Sequence, residues 1–242
     1  MNKIAIIIPA RLASTRLPRK LLIKIGKHSI IQHTYLNALE SKKADKVIVA
    51  TDSSEIRNEI TKLGGTVIMT SLSCPTGTDR CAEAAETLDN NYDIIINVQG
   101  DEPFVHPDTI DGVADALIQD PNTVMSTAKT ELSKDNARNT SIVKVVCDKN
   151  DNALYFSRSP IPYPRNAEYS KWYKHLGIYG YRRNFLQQLV QLQQTRLELS
   201  ESLEQLRVLE NGYNIKVVHT PHDSVGIDTA EDIKQISNLN YS

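Results

Sequence analysis

The chain has 242 residues, of which 40% are hydrophobic and 24% charged, as in an ordinary globular protein rather than a disordered or fibrous one. The aliphatic run at residues 4–8 is far shorter than the roughly 20 residues that a membrane-spanning helix needs. Three scattered cysteines are too few for a disulfide framework or a zinc site, and no secretion signal is recognisable. We therefore expect a protein of the reducing cytoplasm without membrane insertion.

The first 130 residues alternate short apolar runs with helical patterns. Helices are predicted to begin at Ser29, at Ser53 or Ser54, at Thr78 and at Asp108. This alternation is typical of a doubly wound, mostly parallel α/β sheet, which binds ligands at the carboxyl ends of its strands. The predicted strands cover residues 3–8, 46–50, 66–69, 93–98 and 123–128.

The second half of the chain has a more mixed pattern. A turn at residues 148–151 predicts a hairpin, and the prolines at 160, 162 and 164 predict a loop. The predicted strands cover residues 141–147, 153–157, 175–181 and 213–219. The predicted helices cover residues 184–194, 202–210 and 229–236.

The loop after the first strand, residues 9–20, is strongly cationic. No Asp or Glu precedes Glu40, although seven Lys or Arg residues do, and the formal net charge of the whole chain is only −1. A solvated basic face would explain the charge count, but the position directly behind a buried strand favours phosphate binding. The near-neutral molecule as a whole gives no reason to expect nucleic-acid binding. The cations of the loop are Arg11, Arg16, Arg19 and Lys20.

Two acidic residues occupy positions where a metal ion could bind. Asp101 follows the fourth strand, where a carboxylate suits Mg²⁺ bridging substrate phosphates, or where it is simply part of a turn. Asp228 opens the last predicted helix, so it is either a second metal ligand or an ordinary N-cap.

The segment at residues 74–80 and His175 leave more than one interpretation open. Gly77 would let a planar ligand approach the backbone, and Arg80 could donate to a carbonyl-bearing base. A simple helix cap at Thr78 or Asp79 explains the same residues equally well. His175 begins a predicted strand, where a histidine is more often structural than catalytic.

Several longer motifs connect these positions. They are Ile-Pro-Ala-Arg-Leu-Ala-Ser-Thr-Arg-Leu-Pro at 8–18, Ile-Val-Ala-Thr-Asp at 48–52, Thr-Gly-Thr-Asp-Arg at 76–80, Asn-Val-Gln-Gly-Asp-Glu-Pro at 97–103, Ala-Leu-Tyr-Phe-Ser-Arg at 153–158, His-Leu-Gly-Ile-Tyr-Gly-Tyr at 175–181, Ser-Leu-Glu-Gln-Leu-Arg-Val-Leu-Glu-Asn-Gly at 202–212 and Gly-Ile-Asp-Thr at 226–229. Over nearly its full length the chain thereby resembles the 3-deoxy-D-manno-octulosonate (Kdo) cytidylyltransferases, or CMP-Kdo synthetases. The first motif is shared with other cytidylyl- and sugar nucleotidyltransferases, whereas the motifs at 175–181 and 202–212 are much more specific.

The resemblance implies a single cytidylyltransferase domain over residues 1–242, of the nucleotide-diphospho-sugar transferase-like class. Residues 1–130 would mainly bind nucleotide, 131–220 would form a mixed α/β sugar-binding and dimerisation insertion, and 221–242 would contain the closing helix. The implied reaction transfers CMP from CTP to Kdo with release of pyrophosphate, which activates the sugar for lipopolysaccharide biosynthesis. Mg²⁺ is the implied cofactor, and a homodimer the implied assembly.

The resemblance also implies a role for individual residues. Asp101, Asp228 and Lys20 would be catalytic, and the two aspartates would bind the metal. The implied CTP-binding residues are Ala10, Arg11, Ser14, Arg16, Lys20, Thr76, Gly77, Arg80 and Gln99. The implied sugar-binding residues are Gln99, Arg158, His175, Tyr179, Glu204 and Gln205, with Arg158 as partner of the sugar carboxylate.

The chain departs from the family pattern in a few places. Arg19 stands where the family usually has Gly, Thr76 replaces a Ser, and residues 139–141 differ from the usual approach to the following strand.

Three alternative functions stay open. They are a cytidylyltransferase for a related acidic sugar, such as 8-amino-Kdo or a sialic acid, a non-catalytic nucleotide-binding protein, and, less favoured, a glycosyltransferase. The presence of both Asp101 and Asp228 argues against a protein that only binds nucleotide.

Overall fold

The computed structural model describes residues 3–13, 17–224, 226–227 and 232–233. Its strands are β1 (Lys3–Ala10), β2 (Lys24–Ile25), β3 (His28–Ser29), β4 (Lys46–Thr51), β5 (Thr66–Met69), β6 (Tyr92–Val98), β7 (Met125–Leu132), β8 (Lys144–Cys147), β9 (Ala153–Ser157), β10 (Trp172–Arg182) and β11 (Ile215–His219). Its α-helices are α1 (Ile30–Leu39), α2 (Ser54–Thr61), α3 (Gly77–Glu86), α4 (Pro107–Gln119), α5 (Arg183–Leu189), α6 (Arg196–Glu201) and α7 (Gln205–Glu210).

One large sheet runs through both halves of the chain. Its main path has the order β11-β7-β10-β6-β1-β4-β5, and β8 and β9 extend it beside β10. Along this path only β10 is antiparallel to its neighbours, because it pairs in that sense with both β6 and β7. The predicted α/β class with a mostly parallel central sheet is therefore confirmed.

The core lies on both faces of this sheet. Ile4, Ile6 and Ile8 point into a cluster that contains α1, α2 and α4. Ala5 and Ile7 point to the opposite face and pack with α3, α5 and α7. All five side chains are buried, because a parallel strand covered by helices on both faces has no solvent-facing side.

The helix starts in the first half follow the sequence closely. Ser29 and Gln32 form a capping box at α1, and Ser53 caps α2 by accepting from the amide of Ile56. Helix α3 begins at Gly77, one residue before the predicted start, and its N-cap is Thr76, so the alternative of a simple cap at Thr78 or Asp79 is wrong. Among the described residues, none of the helices is both long and apolar enough to cross a membrane.

The region before β11 contains the largest differences from the predicted elements. Helix α5 ends at Leu189 rather than at 194, and a capping box formed by Thr195 and Glu198 starts α6. The single helix predicted over 202–210 is wrong, because Ser202 has a left-handed φ of 53° and ends α6.

A further difference lies elsewhere in the chain. The short hairpin of β2 and β3 was not predicted. The predicted helix at 229–236 lies outside the described residues except for Asp232 and Ile233, which are helical.

Candidate active site

The carboxyl ends of the central parallel strands open into one cavity, which we call the strand-end cavity. Its volume is about 410 Å³. Strands β1 and β6 lead into it, and the loop before α3 forms its opposite wall. Its lining residues are Pro9, Ala10, Arg11, Ala13, Lys20, Leu21, Cys74, Pro75, Thr76, Gly77, Arg80, Gln99, Gly100 and Asp101.

This lining brings together most of the residues expected to bind a nucleotide. Ala10, at the end of β1, is buried, whereas the side chain of Arg11 is exposed. Ser14, Arg16 and Asp228 lie outside the described residues. The remaining expected nucleotide-binding residues all line the strand-end cavity, as does Asp101; they are Ala10, Arg11, Lys20, Thr76, Gly77, Arg80 and Gln99.

Lys20 and Asp101 form an ion pair at the floor of the strand-end cavity. Lys20 Nζ lies 2.6 Å from Asp101 Oδ2, and the side chains are 10% and 36% exposed. The lysine thereby partly balances the carboxylate, and a carboxylate has a second oxygen with which to bind another cation. Ile227, next to Asp228 in the chain, donates its amide to the carbonyl of Asp101 at 3.0 Å.

Arg19, beside Lys20, adopts a conformation that suits glycine better. Its φ of 57° and ψ of 28° are left-handed, and it precedes a short 3-10 helix, Lys20–Leu22. Its exposed guanidinium is paired with Glu55 on α2. A glycine would adopt this backbone conformation with less strain than an arginine. The additional positive charge of Arg19 lies beside α2.

The loop before α3 packs closely against β1 and β6. A Cβ on Gly77, the first residue of α3, would lie 3.2 Å from Gln99 Oε1 and 3.3 Å from Pro9 Cγ, so a larger residue would require these side chains to shift by a few tenths of an ångström. Thr76 and Asp79 form a capping box, in which Asp79 Oδ2 accepts from the Thr76 amide at 3.1 Å. The N-terminus of α3 thus faces the strand-end cavity in a fixed position.

Arg80 is more constrained than the sequence suggests. Its guanidinium is buried, with Nη2 2.9 Å from Asp52 Oδ2 and Nη1 donating to Thr70 Oγ1. A guanidinium has five N–H donors, so these bonds leave some available for a base at the cavity wall. The partners Asp52 and Thr70 follow β4 and β5, and no sequence motif links them to Arg80.

A second group of polar side chains, the buried polar cluster, extends from Gln99 towards α7. Gln99 Nε2 donates to Asn97 Oδ1 at 3.0 Å, and Tyr179 on β10 is the register partner of Asn97 on β6. Tyr179 Oη donates to Gln205 Oε1 at 3.4 Å. Among the described residues, neither Asn97 Nδ2 nor Gln205 Nε2 has a hydrogen-bond partner. Buried donors without partners are rare, so these two amides are candidates for binding a ligand.

His175 belongs to the same cluster and is uncharged. Its Nε2 lies 2.9 Å from Thr127 Oγ1, and its ring packs edge-on against Phe156, with 4.8 Å between centroids, and 5.5 Å from the Tyr179 ring. Burial lowers the pKa of His175 to about 3. It therefore acts at neutral pH through hydrogen bonding and packing.

Other ionisable groups of this cluster are also shifted towards their neutral forms. Burial raises the pKa of the Tyr179 phenol, and the negative charge of Glu204 raises it further. Burial likewise raises the pKa of Glu204, although Thr78 Oγ1 donates a hydrogen bond to its carboxylate. The surroundings of these groups, from the start of α3 to the start of α7, therefore have a low effective dielectric constant.

Arg158 lies at the end of β9, apart from these contacts. Its Nε donates to the carbonyl of Glu201 at 2.9 Å, and its Nη1 to the carbonyl of Thr140 at 3.3 Å. Residues 139–141, one of the departures from the family pattern, therefore support this arginine. Glu201 also accepts from the Arg158 amide at 2.9 Å.

Sequence reasoning missed Asn97 and Glu102. Asn97 is a polar residue inside the aliphatic strand β6, which is a signal that could have been used. Glu102 accepts from Ser224 Oγ, and burial raises its pKa to about 7. Glu102 also approaches Gly226, whose added Cβ would lie 3.1 Å from Glu102 Oε1. It therefore connects the Asp101 loop to the segment before Asp228.

Comparison with known proteins agrees with this arrangement. A family model described as cytidylyltransferase matches residues 5–217. A 3-deoxy-manno-octulosonate cytidylyltransferase from Fusobacterium nucleatum is 48% identical over 233 residues, which cover 96% of this chain and 94% of the relative.

Solved structures give the same result. A CMP:2-keto-3-deoxy-manno-octonic acid synthetase complexed with CTP superposes with a TM-score of 0.94 at 41% identity, covering 98% of each chain. A 4-diphosphocytidyl-2C-methyl-D-erythritol synthase from Anaerococcus prevotii has a TM-score of 0.64 at 20% identity, over 98% of this chain and 97% of its own, and shares the fold. With close relatives matched along almost their whole length, the chain belongs to the 3-deoxy-manno-octulosonate cytidylyltransferase family.

Proposed function

We propose that this protein transfers CMP from CTP to Kdo, giving CMP-Kdo and pyrophosphate, and so activates the sugar for lipopolysaccharide assembly. The observation that supports this most directly is the adjacency of two different polar sites. The strand-end cavity combines cations with a carboxylate, and the buried polar cluster adjoins it through Gln99.

In this proposal the strand-end cavity holds CTP. Arg11 and Lys20 bind the triphosphate, because guanidinium and ammonium groups bind phosphate oxygens strongly, and Ser14 and Arg16 complete the loop. Ala10 and Gln99 border the nucleotide. Thr76, Gly77 and Arg80, which line the same cavity, surround cytosine.

We assign Mg²⁺ to Asp101 and Asp228. The donors fit, since carboxylate oxygens suit this hard cation and the Asp101 side chain is partly open to the strand-end cavity. The ion would supply charge neutralisation on the phosphates. Lys20, whose Nζ lies 2.6 Å from the same carboxylate and which lines the cavity, would share that role as a catalytic residue.

The buried polar cluster would bind Kdo through directional hydrogen bonds. His175, Tyr179, Glu204 and Gln205 face this region together with Gln99, and the unpartnered Gln205 Nε2 suits a sugar hydroxyl. Arg158 would pair with the sugar carboxylate. Its bonds to Glu201 and Thr140 fix its orientation before the sugar arrives.

The reaction is then a displacement at the α-phosphorus. The anomeric hydroxyl oxygen forms a bond to that phosphorus, the bond to the bridging oxygen breaks, pyrophosphate leaves, and the hydroxyl proton passes to solvent. Arg11 and Lys20 offset the repulsion between an anionic sugar and a triphosphate. The rest of the acceleration comes from alignment of the two substrates.

The direct test is pyrophosphate release measured with Mg²⁺ and CTP, with Kdo present and absent, and with ATP, GTP and UTP as controls. Release that requires both CTP and Kdo supports the proposal. Release of pyrophosphate with 8-amino-Kdo or a sialic acid, but not with Kdo, would identify that sugar acid as the substrate. Binding of CTP without release with any of these sugars would contradict a transferase.

We further propose a cytoplasmic homodimer formed through residues 131–220. Large apolar side chains of this part are exposed; they are Leu154 at 62%, Tyr163 at 84%, Tyr169 at 78% and Leu199 at 60%. The free thiols of Cys74, Cys81 and Cys147 fit a reducing compartment. Light scattering coupled to gel filtration measures the mass in solution, and a monomer would refute the dimer.

A further inference from the structure

Two histidines and an aspartate meet at the start of α4, outside both the strand-end cavity and the buried polar cluster. The rings of His106 and His222 are stacked, with 3.5 Å between centroids and 5° between planes. Asp108 Oδ2 lies 3.6 Å from His106 Nδ1 and 3.7 Å from His222 Nε2. One donor atom from each of the three residues lies within 4.8 Å of the other two.

Buried hydrogen bonds hold the two chain segments of this group together. Thr109 Oγ1 and Thr220 Oγ1 are 2.9 Å apart, and the amide of Thr220 donates to the carbonyl of Lys129 at 2.9 Å. Thr220 Oγ1 also accepts from the amide of His222 at 3.2 Å. His222 is therefore fixed beside α4 by contacts that do not involve its own ring.

The donor set and the spacing suit a transition metal. Imidazole nitrogens with a carboxylate are common ligands of Zn²⁺, and bonds of about 2.0–2.1 Å in a tetrahedron separate donors by about 3.3 Å. The two separations from Asp108 need to close by only a few tenths of an ångström, and the two imidazole nitrogens, which lie within 4.8 Å of each other, would converge by a turn of the stacked rings. The side chains of His106, Asp108 and His222 are 41%, 64% and 35% exposed, so they can adjust and admit water as a further ligand.

The electrostatics of the position allow a cation. A helix N-terminus has a partial positive charge, which by itself opposes one. The carboxylate of Asp108 places a full negative charge in the first turn of α4 and outweighs it. His106 Nδ1 accepts from the Asp108 amide at 3.2 Å, a bond that metal binding at that nitrogen would replace.

We propose that His106, Asp108 and His222 form a second metal site that binds a transition-metal dication of the zinc class. It differs from the site assigned to Mg²⁺ because two of its three ligands are nitrogens, whereas Asp101 and Asp228 offer oxygens. An ion here would link α4 to the segment that leads from β11 towards residues 225–228. The proposal does not depend on which sugar the protein uses.

Calorimetric titration of the whole protein with Zn²⁺, in excess Mg²⁺ to fill oxygen-donor sites, tests this site. Titration with Co²⁺ followed by visible absorption reports on the coordination geometry. The variants are His222→Ala and His106→Asn, the latter retaining a side-chain acceptor for the start of α4. The matched control is His28→Ala, since His28 also contacts another histidine, His33, at 5.6 Å between centroids.

The expected result is one Zn²⁺ per chain in the unmodified protein and in the control. Each site variant should bind at least about tenfold more weakly, because losing even a hydrogen-bond partner of a ligand costs that much and these variants lose a ligand itself. Thermal unfolding without metal should be alike for the unmodified protein and His222→Ala, whose side chain is partly exposed. Absence of zinc binding in excess Mg²⁺, or equal affinity in both site variants and the control, would overturn the proposal.

Discussion

The strand-end cavity and the buried polar cluster are both polar, but they are built on different physical principles. In the cavity, charges face each other at short range, as in the ion pair of Lys20 with Asp101. In the cluster, burial keeps groups neutral, and the lowered pKa of His175 and the raised pKa of Tyr179 show this. A charged phosphate chain is best held by charge, whereas sugar hydroxyls are best selected by the direction of hydrogen bonds.

The two regions also differ in how their residues are brought together. The cavity is formed by loops that follow parallel strands, so short stretches of sequence supply several of its residues at once. The cluster combines β6, β10 and the start of α7, and each contributes one or two side chains. Substitutions should therefore affect the two regions in different ways.

The largest effect is expected for Asp101→Asn. Losing this charge removes the partner of Lys20 and the proposed metal ligand, so turnover should fall at least about a hundredfold, with the fold retained. The measurement is pyrophosphate release, with circular dichroism to follow the fold. Asp135→Asn, at an exposed carboxylate before a short 3-10 helix, is the control and should keep normal turnover. Normal turnover in Asp101→Asn would remove the metal assignment.

The next effect is expected for Gln205→Met. Its Nε2 lacks a partner among the described residues and its Oε1 makes one long bond, from Tyr179 Oη at 3.4 Å, so replacing the amide by an apolar group should lower the free energy of unfolding by only about 1 kcal/mol. The KM for Kdo should nevertheless rise about tenfold, because the proposed donor to the sugar is lost. Chemical denaturation and substrate kinetics measure the two effects separately.

Gln32→Met is the matched control for that substitution. Gln32 is also buried, but it accepts from the Ser29 amide at 2.9 Å and donates to the Glu59 carbonyl at 2.9 Å. Its loss should destabilise the protein by about 2 kcal/mol and leave both KM values unchanged. If Gln205→Met were the more destabilising variant, the amide of Gln205 would be a structural rather than a ligand-binding group.

A smaller effect concerns the pH dependence of stability through His175. The pKa of His175 is about 3 in the folded protein, whereas the ordinary value for a histidine is 6.5. Between pH 3 and pH 6.5 this imidazole therefore binds a proton in the unfolded state but not in the folded state. Stability therefore falls as the pH falls from 6.5 towards 3, by up to about 1.4 kcal/mol per pH unit from this group. Chemical denaturation at a series of pH values between about 6.5 and 4.5 gives the free energy of unfolding at each pH. In His175→Gln this free energy should fall less steeply with falling pH than in the unmodified protein. Equal slopes would mean that His175 is accessible to protons in the folded state.

The smallest effect is expected for Arg19→Gly. Glycine removes the left-handed strain but adds freedom to the unfolded chain, so the free energy of unfolding should change by no more than about 1 kcal/mol. Turnover should change less than about twofold. Glu55→Gln breaks the same exposed ion pair without altering the backbone, and separates charge from strain. A large loss of turnover in Arg19→Gly alone would place this arginine at the substrate.

The sequence was sufficient to predict the positions of the parallel strands and most of the residues that line the strand-end cavity. Buried runs such as β1 and caps such as Ser29 follow local rules, and the ends of parallel strands meet at one edge. Local rules failed at Ser202, where a residue that often begins helices instead ends one in a left-handed conformation.

The contacts that define the candidate site depend on long-range packing, which the sequence does not reveal. Arg80 is held by Asp52 and Thr70, from loops after two other strands. Asn97 gains its role only because β10 lies beside β6 and places Tyr179 opposite it. Residue type alone predicts neither the neutral state of His175 nor the contact between Glu102 and Ser224.

The most direct test of the division between a charged and a neutral site is the pair of KM values, for CTP and for Kdo, in two variants. Arg11→Gln alters only the strand-end cavity, and His175→Gln alters only the buried polar cluster. We expect Arg11→Gln to raise the KM for CTP about tenfold and His175→Gln to raise the KM for Kdo about tenfold, each leaving the other KM nearly unchanged. If both variants raise the KM of the same substrate, the division between the two regions is wrong.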